Sequence, residues 1–429
     1  MPIFVGAGTS SFMKGSEGIG FTRLTTTQRD ALSGTNRVQG QVIFNTTTGV
    51  LEIYDGTAWT KVSSVLAVLS SVSGNIVAGA ATNLTLAGTG FLVTDLVVNF
   101  NQSADGINVN VTVTSSSDTA ATVSVPSSVY NNVTAGRVVT ITVTNSDGST
   151  STGVNKTAIG LPTGGNIQTY SGYRSHKFTS SGTWSNTSFV TSADVLIVAG
   201  GGGGGADNSG GGGAGGMLVQ TGVSVSAQNY TITIGGGGTG AYESSGDGGP
   251  YATNGSNSSA LGYTAVGGGR GGSAGGANGN SGGSGGGGSG ENANGTGGAG
   301  TSGQGNAGGN HSNGGGGGGG GKGAVGQNGN VRGTQQGGLG GVGAQNNYET
   351  GSNQYYAAGG NGGNENGDYD TAAAVNGIGG RTNPSSSTRG QNGVDGTGAG
   401  GGACTHDTSA DSPAGGDGGN GVVIIRYAI

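Results

Sequence analysis

Cysteine, proline, charge and long apolar runs are all scarce in this sequence, and each shortage removes a class of explanation. The single cysteine, Cys404, excludes an intramolecular disulfide framework, so stability must come from packing and hydrogen bonding. Six prolines in 429 residues, with glycines that keep no every-third register, exclude a collagen triple helix. Charged residues make up 8% of the chain and the formal net charge is -6. There is no basic stripe of the kind that neutralises phosphates, and nucleic acid is not an expected partner. No run of roughly 18 apolar residues occurs, so no membrane-spanning helix is expected. Residues 1–8 show neither a basic n-region nor a long apolar h-region, so no export signal is expected.

What is abundant is glycine, with 106 residues concentrated between Ala199 and Gly421 and runs such as Gly200 to Gly205 and Gly314 to Gly321. Two apolar strand patterns bracket this stretch, Asp194 to Ala199 and Gly421 to Tyr427. Glycine-rich sequence of this kind is often a flexible spacer. Fixing a backbone costs about 1–2 kcal/mol per residue, and glycine brings no side chain to bury in return. An ordered state therefore needs backbones packed against backbones, extended three-residue-per-turn segments whose N–H and C=O groups satisfy their neighbours. The expected fold is mostly β: a small N-terminal helix-plus-hairpin module, a β-sandwich, then a β-sandwich base carrying packed polyglycine II-type helices.

Residues 1–64 form the first expected module. Thr25 to Leu32 reads as a short helix with a threonine cap and Gly34 as its stop. Gln41 to Asn45 and Val50 to Tyr54 alternate across a short loop and predict a hairpin, with Ala58 to Val62 a third strand. Tyr54 and Trp59 fall in alternating pattern and are expected in the core. The Leu-Thr-Thr-Thr-Gln-Arg-Asp-Ala-Leu stretch, followed by Val-Ile-Phe-Asn-Thr-Thr-Thr-Gly and Tyr-Asp-Gly-Thr-Ala-Trp, resembles the proximal modules of bacteriophage fibre proteins. That resemblance implies attachment to other virion proteins through residues 1–64 and a homotrimer. A module this small leans on a neighbour or on copies of itself.

Over residues 65–160, β-branched runs at 92–98, 109–114, 121–126 and 138–144 indicate a β-sandwich. The succession Asn-Leu-Thr-Leu-Ala-Gly-Thr-Gly-Phe, Val-Val-Asn-Phe and Val-Thr-Ile-Thr-Val-Thr-Asn-Ser-Asp-Gly-Ser-Thr-Ser resembles the IPT/TIG immunoglobulin-like family. Its loops hold no aromatic cluster, so a spacer is expected, with Phe91, Phe100 and Tyr130 in the core.

Residues 165–429 open with strand patterns at 173–179, 194–199, 217–225 and 229–234 and close on Val-Val-Ile-Ile-Arg-Tyr. Together with Phe-Thr-Ser-Ser-Gly-Thr-Trp and Tyr-Thr-Ile-Thr-Ile-Gly-Gly-Gly-Gly, these resemble the glycine-rich distal domain of phage tail-fibre and adhesin proteins. The resemblance implies stacked polyglycine helices holding loops at a tip that contacts a host cell-surface receptor, either a glycan or an outer-membrane protein. A virion location follows from it. Between the glycine runs, Tyr242, Tyr251, Tyr348, Tyr355, Tyr356 and Tyr369 stand among Asn, Gln, Glu and Asp. Rigid amphipathic rings among adaptable polar residues suit a binding surface, and these six are the candidate receptor contacts. The other reading of the tyrosines is packing on the lattice flanks. Tyr263 is expected in the core.

Catalytic motifs are weak. Gly316 to Lys322 imitates a phosphate loop, but Gly323 stands where Ser or Thr is needed. Cys404, His406 and Asp407 lack a shell to hold catalytic or metal geometry. The 415–420 stretch carries Asn420 where a calcium repeat has aspartate, and His176, His311 and His406 are far apart. No cofactor, metal or catalytic residue is expected. Two roles stay open: a receptor-binding fibre, or a structural decoration of capsid or tail without receptor binding.

Overall fold

The computed structural model describes residues 21–62, 66–92, 94–242, 251–273, 277–290, 295–312, 314–329, 336–364, 375–382, 389–405 and 414–429. The chain divides into two compact units, residues 1–160 and 161–429.

In the first unit, β1 (Thr22–Leu24) leads into the helix α1 (Thr26–Asp30). Thr25 caps α1 in a reciprocal box: its hydroxyl accepts the Gln28 N–H at 3.3 Å, and the Gln28 side chain accepts the Thr25 N–H at 2.8 Å. The predicted hairpin is present as β2 (Val42–Asn45) and β3 (Val50–Tyr54), with β4 (Trp59–Lys61) beside it. β1 pairs parallel to β2, a three-residue strand too short for its own pattern to show. Tyr54 is buried and Trp59 half-buried, their rings 5.4 Å apart. Glu52 is buried but compensated, accepting from Arg29 Nη1 at 2.7 Å and Asn45 Nδ2 at 3.0 Å.

The rest of this unit is β5 (Val68–Ser73), β6 (Asn83–Thr89), β7 (Leu96–Gln102), β8 (Ile107–Val113), β9 (Ala120–Ser124), the short helix α2 (Ser127–Tyr130), β10 (Val138–Thr144) and β11 (Val154–Thr157). Two sheets form, β5-β6-β9 and β11-β10-β7-β8, and share one core. Alternation builds that core directly: Val139, Ile141 and Val143 of β10 point in, as do Leu84 and Leu86 of β6. Phe91 and Phe100 are buried within it, and Tyr130 packs against it. The strand predicted at 92–98 begins only at Leu96, because Asp95 takes a left-handed backbone (φ 57°) that interrupts extended structure.

The second unit is founded on β12 (Asn166–Tyr170), β13 (Tyr173–Phe178), β14 (Gly182–Ser185), β15 (Ser192–Val198), β16 (Met217–Ser224), β17 (Asn229–Ile232), the hairpins β18 (Ser258–Ala260) with β19 (Tyr263–Ala265) and β20 (Ala344–Asn346) with β21 (Gln354–Tyr356), and the final β22 (Val422–Ala428). The antiparallel order β12-β13-β22-β15-β16 puts β15 and β22 at the centre. Both are covered on both faces, which explains why they read as unbroken apolar runs rather than alternating ones. One face, with Val195, Ile197, Val423 and Ile425, packs against Phe178, Trp184 and Ile232. The other, with Leu196, Val198, Val422 and Ile424, packs against Met217, Tyr348 and Tyr356. Burying side chains of this size contributes roughly 1.5–3 kcal/mol each, which anchors the glycine segments that follow.

From Ala199 onward the glycine runs pair with one another in a three-residue period. The N–H groups of Gly200 and Gly203 donate to Ser256 and Thr253, those of Gly201 and Gly204 to Gly419 and Gly416, and those of Gly202 and Gly205 to Gly213 and Gly210. Each residue thus faces one of three neighbours in turn, and carbonyls are used likewise. The segment 210–216 shows the full arrangement. It donates to the segments around Gly269, Gly320 and Gly401 and accepts from those around Gly202, Gly287 and Gly360. The segment 210–216 makes no backbone hydrogen bond within itself, so pairing between segments replaces a side-chain core.

At the outside of this array a segment lacks neighbours, and side chains take their place. Asn257 and Asn254 accept from the N–H groups of Gly267 and Arg270, both at 2.9 Å. Asn392 and Asp395 accept from Asp417 and Asn420, and Asp417 and Asn420 accept in turn from Gly240 and Gly237. The three-residue spacing of these carbonyl-bearing side chains matches the period of the donors they satisfy.

Candidate functional site

The turn from Gly205 to Gly210 closes the first two glycine segments at the end opposite β15. Asp207 and Asn208 reverse the chain there in left-handed conformations (φ 60° and 45°). Five other segments reach the same level. Ala241 donates to Gly204, Gly290 to Asn208, Gly363 to Ser209 and Cys404 to Gly205, while Gly272 accepts from Gly210. The ends of several segments therefore converge on one tip, held by paired backbone throughout.

The structure separates the five candidate tyrosines among the described residues. Tyr348 and Tyr356 are buried, 5% and 2% exposed, in the core against β15 and β22, and this corrects their reading as surface contacts. The cause is the hairpin β20–β21, which folds back on the sheet. Tyr170 Oη donates to the Tyr348 carbonyl at 2.6 Å, Ser175 Oγ donates to the Glu349 carbonyl at 2.8 Å, and Lys177 pairs with the Glu349 carboxylate at 2.8 Å. Tyr356 Oη donates to the other Glu349 oxygen at 3.0 Å, and burial beside that carboxylate pushes its phenol well above the usual range. The Arg426 guanidinium lies 3.9 Å from the Tyr348 ring centre and 4.6 Å from that of Tyr173, and ion-pairs with Asp194 at 3.1 Å. Tyr355 alternates outward and is exposed, but at the sheet end of the unit. Tyr369 lies outside the described residues. Tyr263 is exposed at the β18–β19 hairpin rather than in the core.

Tyr242 and Tyr251 remain, on two hydrogen-bonded segments near the tip. They are 49% and 59% exposed. Their segments run antiparallel, with the N–H groups of Thr253 and Ser256 donating to the carbonyls of Thr239 and Gly236. That register sets Tyr251 opposite Ala241, one residue from Tyr242. Arg270 stands over the Tyr251 ring at 5.1 Å and Arg389 over Tyr242 at 5.7 Å. Sequence reading missed both arginines, because 19 residues separate Arg270 from Tyr251 and 147 separate Arg389 from Tyr242, and no local pattern links such pairs.

The remaining motifs resolve as scaffold. The N–H groups of Gly316 to Gly320 donate to neighbouring segments and that of Gly321 to Ala324, leaving none to cradle a phosphate. Asp417 and Asn420 accept backbone N–H groups at the lattice edge. Cys404 is buried, its Sγ accepting the Asp207 N–H at 2.9 Å, while His406 and Asp407 lie outside the described residues. His176 is buried between Gly164, whose carbonyl is 2.7 Å from Nδ1, and Tyr427, whose hydroxyl is 3.1 Å from Nε2. Burial pushes its pKa down to about 4. Among the described residues, no group of three or more His, Cys, Asp or Glu could hold a metal ion.

Two family models match the chain. One, described as a glycine-rich domain, covers residues 175–428. The other, described as a phage tail like trimerisation region, covers residues 10–79. No curated protein and no solved structure matches.

Proposed function

Because the chain belongs to the glycine-rich domain family and carries a phage tail-like trimerisation region near its N-terminus, we propose that it is a homotrimeric, non-enzymatic fibre of a phage virion that binds the host cell surface. Residues 1–64 join the chain to its copies and to other virion proteins. The sandwich over 65–160 is an immunoglobulin-like spacer of the IPT/TIG type. The glycine segments are polyglycine II helices, a reading supported by the three-residue period of their hydrogen bonds.

The observation that carries host binding is the convergence of segment ends around the Gly205 to Gly210 turn. A lattice whose internal N–H groups are already paired has nothing left to bind with, whereas its tip presents exposed Tyr242 and Tyr251 on rigid supports. Preorganised aromatic groups lose little entropy on binding.

The test is binding of the fluorescently labelled full chain to a panel of bacterial strains. Saturable binding, displaced by unlabelled chain, is expected on some strains and absent on others. Absence from every strain, including one infected by a phage that carries the chain, contradicts host binding and leaves a decorating spike.

A further inference from the structure

Across the flank of the lattice tip, four side chains stand in a row. Arg389 overlies Tyr242, the segments bearing Tyr242 and Tyr251 are hydrogen-bonded to each other, and Arg270 overlies Tyr251. The order is fixed by the backbone. The Arg389 side chain donates from Nε to the Gly415 carbonyl at 2.9 Å, the Gly415 N–H donates to Ala241 next to Tyr242, and the Arg270 N–H donates to Asn254 three residues beyond Tyr251.

The two cations differ. Arg389 is ion-paired with Asp417. Arg270 is half-buried, its Nη1 donates to the Gly271 carbonyl at 3.2 Å, and no carboxylate among the described residues pairs with it. Among the described residues its guanidinium therefore faces no carboxylate, and it lies beside an open aromatic ring. An exposed ring offers a flat apolar surface to the C–H face of a pyranose, and a guanidinium presents forked donors to a carboxylate or phosphate.

The geometry points to a binding site for an acidic saccharide on the row Arg270–Tyr251–Tyr242–Arg389, the rings carrying the sugar and Arg270 its negative group. This rests on the host-binding reading and names the chemical class of the receptor. A neutral glycan uses the rings but leaves Arg270 idle, and an apolar protein surface leaves its charge uncompensated.

The test uses the full chain and three immobilised polymers: polygalacturonate, teichoic acid and neutral dextran. The chain should bind one or both acidic polymers, lose that binding as salt rises, and ignore dextran. The double variant Tyr242→Ala with Tyr251→Ala, and Arg270→Gln alone, should each weaken binding by about tenfold or more. Tyr263→Ala, an equally simple loss of an exposed ring elsewhere, should change nothing, and unchanged unfolding midpoints establish that the variants are folded. Equal binding to dextran, or full acidic-polymer binding by folded Arg270→Gln, overturns the site. The same variants on bacterial cells separate the two readings. If cells bind wild type and the double variant equally, the row is not the contact and host binding stands. If cells bind no form of the chain, both readings fall.

Discussion

Gly201 lies so close to Ala399 that a Cβ built on it would overlap the Ala399 carbonyl oxygen. The same holds for Gly212 against Gly202 and for Gly319 against Gly212. None of the three has a left-handed backbone, so glycine is required here for approach and not for conformational freedom. Gly201→Ala should therefore destabilise the second unit by about 3 kcal/mol or more, since the obstruction is backbone that cannot swing aside. Gly236→Ala is the control. Its nearest neighbour would be Asn420 Oδ1 at 3.7 Å, an ordinary contact, and its denaturation midpoint should stay near wild type.

Asparagine carbonyls complete the lattice where neighbours run out. Replacing Asn254 and Asn257 by alanine leaves the N–H groups of Arg270 and Gly267 without those acceptors. Each loss should cost about 0.5–1.5 kcal/mol. Asn254→Asp keeps an acceptor oxygen and should be milder. Denaturant unfolding of the three variants checks the order.

His176 makes the second unit sensitive to acid. A neutral imidazole with its proton on Nδ1 donates to Gly164 and accepts from Tyr427, satisfying both contacts. Its folded pKa of about 4 lies below the ordinary value of 6.5, so between these values the unfolded chain binds more protons than the folded one. The stability present above pH 6.5 is lost as pH falls toward 4, by roughly 3 kcal/mol in all. A His176→Gln variant should be less stable at pH 7 and should lose less between pH 6.5 and 4. Unfolding midpoints across that range test both statements.

Apolar residues stand exposed in the part of the chain that matches a trimerisation region: Leu66 is 68% exposed, and Val38 52%. The full chain should sediment at three times its 40.6 kDa mass. Leu66→Glu should shift it toward the monomer while leaving the unfolding of the second unit unchanged. A monomer for wild type counts against the fibre account.

The strands of the sandwich and of the central sheet were legible because alternation, or its replacement by continuous apolar runs in β15 and β22, states which faces are buried. That an ordered glycine stretch needs backbone packed on backbone was legible from chemical necessity, but whether the stretch is ordered or a flexible spacer was not. The tyrosines were not. Tyr355 and Tyr356 are adjacent in the sequence, yet strand geometry sends one to solvent and the other into the core, and which goes where depends on how the β20–β21 hairpin meets a sheet formed mainly from distant residues. The partners of Tyr242 and Tyr251 were invisible for a related reason, since lattice neighbours are set by segment packing and not by sequence distance.

Everything functional in this account depends on glycine-rich chain being ordered by its neighbours. Amide hydrogen exchange of the native full chain, read at Gly200 to Gly205, Gly211 to Gly216 and Gly316 to Gly321, tests that directly. Protection comparable to that of β15 and β22 is expected. Exchange of these amides at the rate of an unstructured peptide would contradict it and return the segment to a flexible spacer.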